Sequence, residues 1–198
     1  MLTQFDPNNI LSNQWVRLEP LQPMHADALW KIGQQAADWQ YLPRGCFTSQ
    51  DDLHAWIDEA LLAQAKGEQQ AFVIFDQQTG QCCGSTRYLN IRAVHFGVEI
   101  GWTWLAQSAQ RTAINTATKL CLFEHAFEQW QMRRVELKTD LRNLRSQRAI
   151  ERLGAVREGV WRKHMCVQQD HMRDTVFYSV IDDEWPMIKQ RLQAFLQR

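Results

Sequence analysis

The residues with the clearest chemical potential form one continuous stretch: V-E-I-G-W-T-W-L (98–105), A-Q-S-A-Q-R-T-A-I-N (106–115) and T-A-T-K-L-C-L-F-E-H-A-F-E (116–128). The order reads strand, loop, helix. A helix start that follows a strand presents several unpaired backbone N–H groups and the positive end of a dipole, an arrangement suited to a pyrophosphate. Close approach needs small residues, and Thr112, Ala113 and Thr116 supply them, while Arg111 adds a cation within reach. On these residues alone an ordinary solvated turn is the simpler reading.

Other chemistry is poorly served. His95, His125, His164 and His171 have no ligand spacing with cysteine or aspartate, so no metal is expected. Glu124-His125 lacks the second histidine of a zinc-protease helix. The five cysteines at 46, 82, 83, 121 and 166 are odd in number and contain no C-x-x-C, which suits free thiols in a reducing cytoplasm. Cys82 and Cys83 are neighbours on an expected strand and therefore point to opposite faces.

The surrounding elements can be read from periodicity. Trp15–Glu19 alternates as a half-buried strand, and His25–Gln34 reads as a short helix followed by a loop at Tyr41–Gly45. Thr48 and Ser49 precede Asp51 and Asp52, the signature of an N-cap, and Leu53, Trp56, Ile57, Ala60 and Leu61 then recur at helical spacing up to Gly67. Ala71–Asp76 and Cys82–Asn90 form a hairpin around the turn 77–80. Val98–Leu105 is a third strand, with Val98, Ile100, Trp102 and Trp104 expected on one face and Glu99, Gly101, Thr103 and Leu105 on the other. A helix from about Asn115 to Trp130 carries Ala117, Leu120, Phe123, Phe127 and Trp130 on one stripe. Arg134–Thr139 alternates again, Asn143–Leu153 is a helix closed by Gly154, Val156–Arg162 and Thr175–Ile181 complete the strands, and Trp185–Leu196 is an amphipathic tail with Pro186 in its first turn.

The 198 residues suit one domain over 1–198, and no repeat or linker divides them. Lys+Arg and Asp+Glu both total 22, which disfavours nucleic acid or an anionic membrane as partner, since both reward clustered positive charge. Met1–Ile10 has no apolar stretch and is not a signal peptide, and no segment approaches the roughly 20 apolar residues of a membrane helix. A cytoplasmic protein is expected. The element order implies an α+β architecture, a mixed sheet with helices packed on it.

The runs E-I-G-W-T-W-L, Q-R-T-A-I-N and K-T-D-L-R-N-L-R-S-Q-R-A-I-E-R-L-G-A-V-R-E-G resemble the GNAT superfamily of N-acetyltransferases, and within it the branch that acetylates ribosomal-protein N-termini. The likeness extends from W-V-R-L-E-P-L to R-D-T-V-F-Y-S-V-I-D-D-E-W-P. It implies a twisted, mostly antiparallel sheet with a central split, flanked by helices, the split lying between Val98–Leu105 and Arg134–Asp140. It implies acetyl-CoA or another acyl-CoA as co-substrate, with no metal. The pantetheine arm would pair near Trp104 and Leu105, and the pyrophosphate would rest on the loop Gln110, Arg111, Thr112, Ala113, Ile114 and Asn115. Asn143 and Ser146 match positions that contact coenzyme A, although Asn143 also suits a plain helix cap. One or two of Arg142, Arg145, Arg148 and Arg152 would reach the 3′-phosphate; a solvated face is the simpler role for the rest.

The implied reaction is direct attack of an amine on the thioester. Glu99, the one carboxylate on the central strand, is the candidate base; a carboxylate that merely binds neighbouring basic groups is the alternative. Trp39 and Tyr41 are the candidate acceptor-binding residues, and the acceptor is a protein N-terminus or a small amine. The chain departs from the family twice. The loop pattern Q/R-x-x-G-x-G/A becomes Gln110-x-x-Ala113-x-Asn115, and Ile150 stands where many members carry a tyrosine that protonates the leaving thiolate. The thiolate is therefore expected to leave without a positioned side-chain acid, Tyr178 being the one of the three tyrosines best placed to approach the site from elsewhere. These departures leave open an idle acyl-CoA-binding or scaffolding protein on the same fold. Assembly beyond one chain, such as a homodimer, is equally open.

Overall fold

The computed structural model describes residue 6 and residues 8–197; Met1–Phe5, part of the segment that lacks a signal peptide's apolar run, lie outside the described residues. Eight strands form one sheet in the order β1-β2-β3-β4-β5-β6-β8-β7: β1 Leu11–Ser12, β2 Val16–Pro20, β3 Gln69–Asp76, β4 Cys82–Arg92, β5 Gly97–Leu105, β6 Arg134–Asp140, β7 Val156–Val167 and β8 His171–Ile181. All neighbours are antiparallel except β5 and β6. Helices α1 (Ala26–Ile32), α2 (Ala36–Trp39) and α3 (Gln50–Ala65) belong to a core with Ala71, Val73 and Trp104, while α4 (Ile114–Glu124), α5 (Leu144–Leu153) and α6 (Trp185–Leu196) share the larger core with Val98, Ile100, Val135 and Val176. The expected α+β architecture is the one observed.

Local chemistry accounts for the helix ends. Ser49 Oγ accepts from the Asp52 N–H at 3.1 Å, and Asp51 and Asp52 sit in the first turn of α3, where the dipole favours negative charge. Gly154 ends α5 in the left-handed region at φ +107°, a conformation that an L side chain seldom adopts. The helix expected from Asn115 to Trp130 is α-helical only to Glu124; His125–Gln129 continues as a π turn closed by Trp130 N–H donating to the His125 carbonyl at 3.0 Å.

Two expectations are corrected. The simple alternation along Val98–Leu105 fails, because Ser85 opposes Trp104 while Arg87 opposes Gly101, a one-residue bulge in β5 with Trp102 at φ +52°. Beyond it the faces exchange: Val98, Ile100 and Leu105 lie in the α4 core, whereas Trp104 crosses to pack on Trp39 with ring centroids 4.9 Å apart. A Cβ at Gly84 would collide with the Trp104 carbonyl, so glycine is what lets β4 approach the bulged strand. Secondly, the last hairpin is longer than its expected spans of Val156–Arg162 and Thr175–Ile181. β7 is an edge strand, mostly exposed or half-buried, and therefore shows no alternation to read. α2 and the two-residue β1 are too short to leave a period in the sequence.

Candidate active site

β5 and β6 pair only at Gly97/Arg134, Val98/Val135 and Glu99/Glu136, and then separate. Into the gap opens a cavity of about 910 Å³, walled by Ile100–Leu105 of β5, Leu137–Thr139 of β6, the 110–113 loop, and side chains of α4 and α5.

On the α4 side, the loop is held firmly. Gln110 Nε2 donates to the Leu105 carbonyl at 2.9 Å and to Asp38 Oδ1 at 2.6 Å, and its Oε1 accepts from Arg145 at 2.9 Å. Arg111 adopts the left-handed conformation at φ +61°. Thr112 Oγ1 donates to the Ala109 carbonyl at 2.7 Å and accepts the Ile114 N–H at 3.2 Å. No side chain caps α4, whose N-cap is Ala113. Apart from the Ile114 N–H, which Thr112 Oγ1 takes, its first turn therefore faces the cavity with backbone donors that no side chain claims.

Of the expected cofactor-binding residues, Trp104, Leu105, Gln110, Arg111, Thr112, Ala113, Asn115, Asn143 and Ser146 all line this one cavity. Ile114 does not; it is buried in the α4 core, and its N–H is already taken by Thr112. Asn143 Oδ1 accepts from the Ser146 N–H at 3.0 Å, so the capping role is real. Its Nδ2 is not part of that bond.

The acceptor-side residues divide. Tyr41 lines the cavity together with Leu42 and Pro43, with the Arg142 guanidinium 5.8 Å from its ring. The segment is tied to the β7–β8 turn by Gln168 Nε2, which donates to the carbonyls of Trp39, Leu42 and Arg44 at 2.7–2.8 Å. Trp39 is corrected: it is 0% exposed, wedged between Trp104 and Phe47, and lies behind the wall rather than in it. Its place beside the Tyr41–Gly45 loop made it look like a pocket residue, yet the β5 bulge brings Trp104 over to cover it.

Glu99 lies on the cavity wall at 3% exposure. Oε2 accepts from Asn90 at 2.7 Å and pairs with Lys138 at 3.0 Å, whereas Oε1 is buried with no hydrogen-bond partner among the described residues. One oxygen is anchored and the other is available to a proton. Both roles foreseen for Glu99, ion pairing and base, are thus compatible with a single geometry.

Ile150 lines the cavity where the family's tyrosine would stand. Tyr178 does not approach it: fully buried, its hydroxyl donates to Glu151 Oε1 at 3.0 Å, and burial together with that carboxylate pushes its pKa up to about 12. Tyr178, the tyrosine best placed by sequence to approach from elsewhere, is not on the wall, and Tyr41 is the tyrosine that lines it.

Two buried basic residues of the wall were not foreseen. Arg173, 4% exposed on β8, donates to Thr175 Oγ1 at 2.9 Å, and burial lowers its pKa. Lys119, on α4, is 5% exposed, and its Nζ donates to Thr103 Oγ1 at 2.7 Å. Lys119 had a visible signal, being the single charge between Arg111 and Glu124 in an otherwise uncharged helical run. Among the described residues no three His, Cys, Asp or Glu side chains gather as a metal site, and no helix is long and apolar enough to cross a membrane.

A β5–β6 split, an uncapped helix beneath it and a carboxylate at its base define a class of fold and site. The sequence pattern described as Acetyltransferase (GNAT) domain matches residues 16–156, and the chain belongs to that family. It is 33% identical over 106 residues to a Bacillus subtilis (strain 168) protein provisionally named a ribosomal N-acetyltransferase, YdaF, a match spanning 54% of this chain and 57% of that relative. A GCN5-related N-acetyltransferase from Brucella melitensis superposes with a TM-score of 0.89 at 28% identity, over 96% of this chain and 86% of that one. Mycobacterium smegmatis RimJ, solved with CoA-disulfide, shares the fold with a TM-score of 0.80 at 22% identity, over 95% of both chains.

Proposed function

We propose that the protein transfers an acetyl group from acetyl-CoA to an amine, the nucleophile attacking the thioester directly. The observation that carries this reading is Glu99, buried at the base of the β5–β6 split with Oε2 anchored by Asn90 and Lys138 and Oε1 without a partner. The pyrophosphate rests on the uncapped start of α4, with Arg111 beside it, and the pantetheine runs along the β5 edge at Trp104 and Leu105, which β6 leaves unpaired. Asn143 Nδ2 and Ser146 supply further polar contacts from α5, and Arg145 and Arg152, both on the wall, supply positive charge.

The acceptor enters past Tyr41. Its ammonium form must lose a proton before its nitrogen can attack, and Glu99 Oε1 accepts that proton directly or through a water. The new C–N bond forms as the C–S bond breaks and the electron pair passes to sulfur. Backbone N–H groups of the bulged β5 stabilise the oxyanion between these events. The acceptor class is a peptide N-terminus, a reading supported by the ribosomal name of the Bacillus subtilis relative.

The test is acetyl-CoA-dependent release of free thiol with a panel of N-terminal peptides and small amines. Release that depends on a peptide N-terminus supports both parts of the reading. Release with small amines alone moves the acceptor class. Binding of acetyl-CoA with no release under any acceptor would make the protein an acyl-CoA-binding module.

A further inference from the structure

We propose that the Lys119 ammonium protonates the coenzyme A thiolate as it leaves, in place of the tyrosine that Ile150 replaces; the inference rests on the acetyl transfer proposed above. Lys119 and Ile150 reach the same cavity from two helices, α4 and α5. Lys119 is 5% exposed and makes no ion pair with any described carboxylate. A buried ammonium without a counter-anion is costly, and such groups concentrate where chemistry uses them. Its hydrogen bond goes to Thr103 Oγ1 at 2.7 Å, a hydroxyl also 2.8 Å from Thr86 Oγ1, so the side chain is held at the β5 bulge itself. One of three N–H donors is thereby used, and two remain.

Of the charged groups on the same cavity wall, Arg111 stands on the loop, Arg145 of α5 donates to Gln110 and Arg173 of β8 to Thr175. Glu99 on β5 pairs with Lys138 of β6, Arg152 of α5 donates to Thr116, Glu124 of its own helix pairs with Lys189 of α6, and Arg191 of α6 lies over Phe195. Burial, and no charge partner, brings the Lys119 pKa down to about 7. An acid of that strength gives its proton readily to a thiolate whose conjugate acid has a pKa of about 8.5.

The step balances. The amine nitrogen, its ammonium proton already passed by way of Glu99 to water, bonds to the acetyl carbon and gives its second proton to Glu99; the C–S bond breaks with its electron pair on sulfur; and an Nζ proton passes to sulfur, leaving coenzyme A as the thiol. Lys119 is then neutral and Glu99 protonated, and exchange with water in the open cleft resets both.

The experiment measures steady-state rates with acetyl-CoA and an acceptor found in the thiol-release panel, from about pH 6 to 9, for wild type, Lys119→Met, Lys119→Gln and Lys119→Arg. Loss of the acid lowers kcat about 10²-fold in the Met and Gln variants, leaves KM for acetyl-CoA within a few-fold, and removes the alkaline fall in kcat seen above about pH 7 in wild type. Arginine keeps the charge but holds its proton, so it does not restore the rate. Thermal unfolding and coenzyme A titration establish that the variants fold and bind, with glutamine serving where methionine disturbs the site. Turnover within a few-fold of wild type in either neutral variant, full rescue by arginine, an unchanged pH profile, or a loss confined to KM would each overturn the proposal while leaving acetyl transfer intact. A wild type that releases no thiol with any acceptor overturns both.

Discussion

Two helices begin at the wall of the same cavity, and they begin differently. α5 opens on Asn143, whose Oδ1 satisfies the Ser146 N–H at 3.0 Å; α4 opens on Ala113 with no side-chain cap. A capped terminus is complete in itself, whereas an uncapped one facing a cavity keeps its backbone donors and its dipole for a ligand. The difference assigns labour within the cleft. On the proposed reading α5 stiffens the wall, α4 receives the anion, and β5 carries the reacting carboxylate at Glu99, all three lining one cavity.

Substitutions can break or sharpen this division. The largest effect is expected at the reacting end: Glu99→Gln keeps the shape and removes the base, so turnover should fall about 10²-fold near pH 7 with acetyl-CoA affinity little changed. The deficit should narrow as pH rises past the amine's own pKa, about 7.7–8.0 for an α-amino group, because the acceptor then arrives neutral. A pH-independent deficit, or none, would move the base elsewhere. At the capped helix the effect should be smaller and of another kind. Asn143→Ala should lower stability by about 1 kcal/mol in denaturant unfolding, with coenzyme A affinity changed only a few-fold, since the backbone donors of α4 remain. A large affinity loss without a stability loss would reverse the roles of the two termini. The smallest effect is expected in the core, where Tyr178→Phe loses one hydrogen bond to Glu151 and should leave turnover within a few-fold of wild type. A loss near 10²-fold would show that Tyr178 takes part in the chemistry after all.

What the sequence discloses follows from the range of the interactions involved. Both helix caps were legible because a cap is local: Ser49, Asp52, Asn143 and Gly154 act within four residues of themselves. The strand–loop–helix cradle was legible for the same reason, as were the loop residues now found on the cavity wall. The β5 bulge was not, because it exists only as a mismatch with β4, and it alone decides that Trp104 crosses the sheet and seals Trp39 behind the wall. Tyr178 was misplaced because strand periodicity gives a face and not a partner, and its partner Glu151 lies 27 positions away on α5. Lys119 was overlooked since a lysine on a helix normally snorkels to water. Here α4 is buried nearly all round, and its ammonium has the cavity as its outlet.

The contrast between the two helix starts is tested most directly by calorimetric titration of coenzyme A into wild type, Ala113→Glu and Asn143→Ala. A glutamate at Ala113 places bulk and negative charge where the pyrophosphate should sit, and affinity is expected to fall at least about tenfold while the asparagine variant stays within a few-fold. Binding by Ala113→Glu as tight as that of wild type would contradict the account, because the anion would then be held somewhere other than the start of α4.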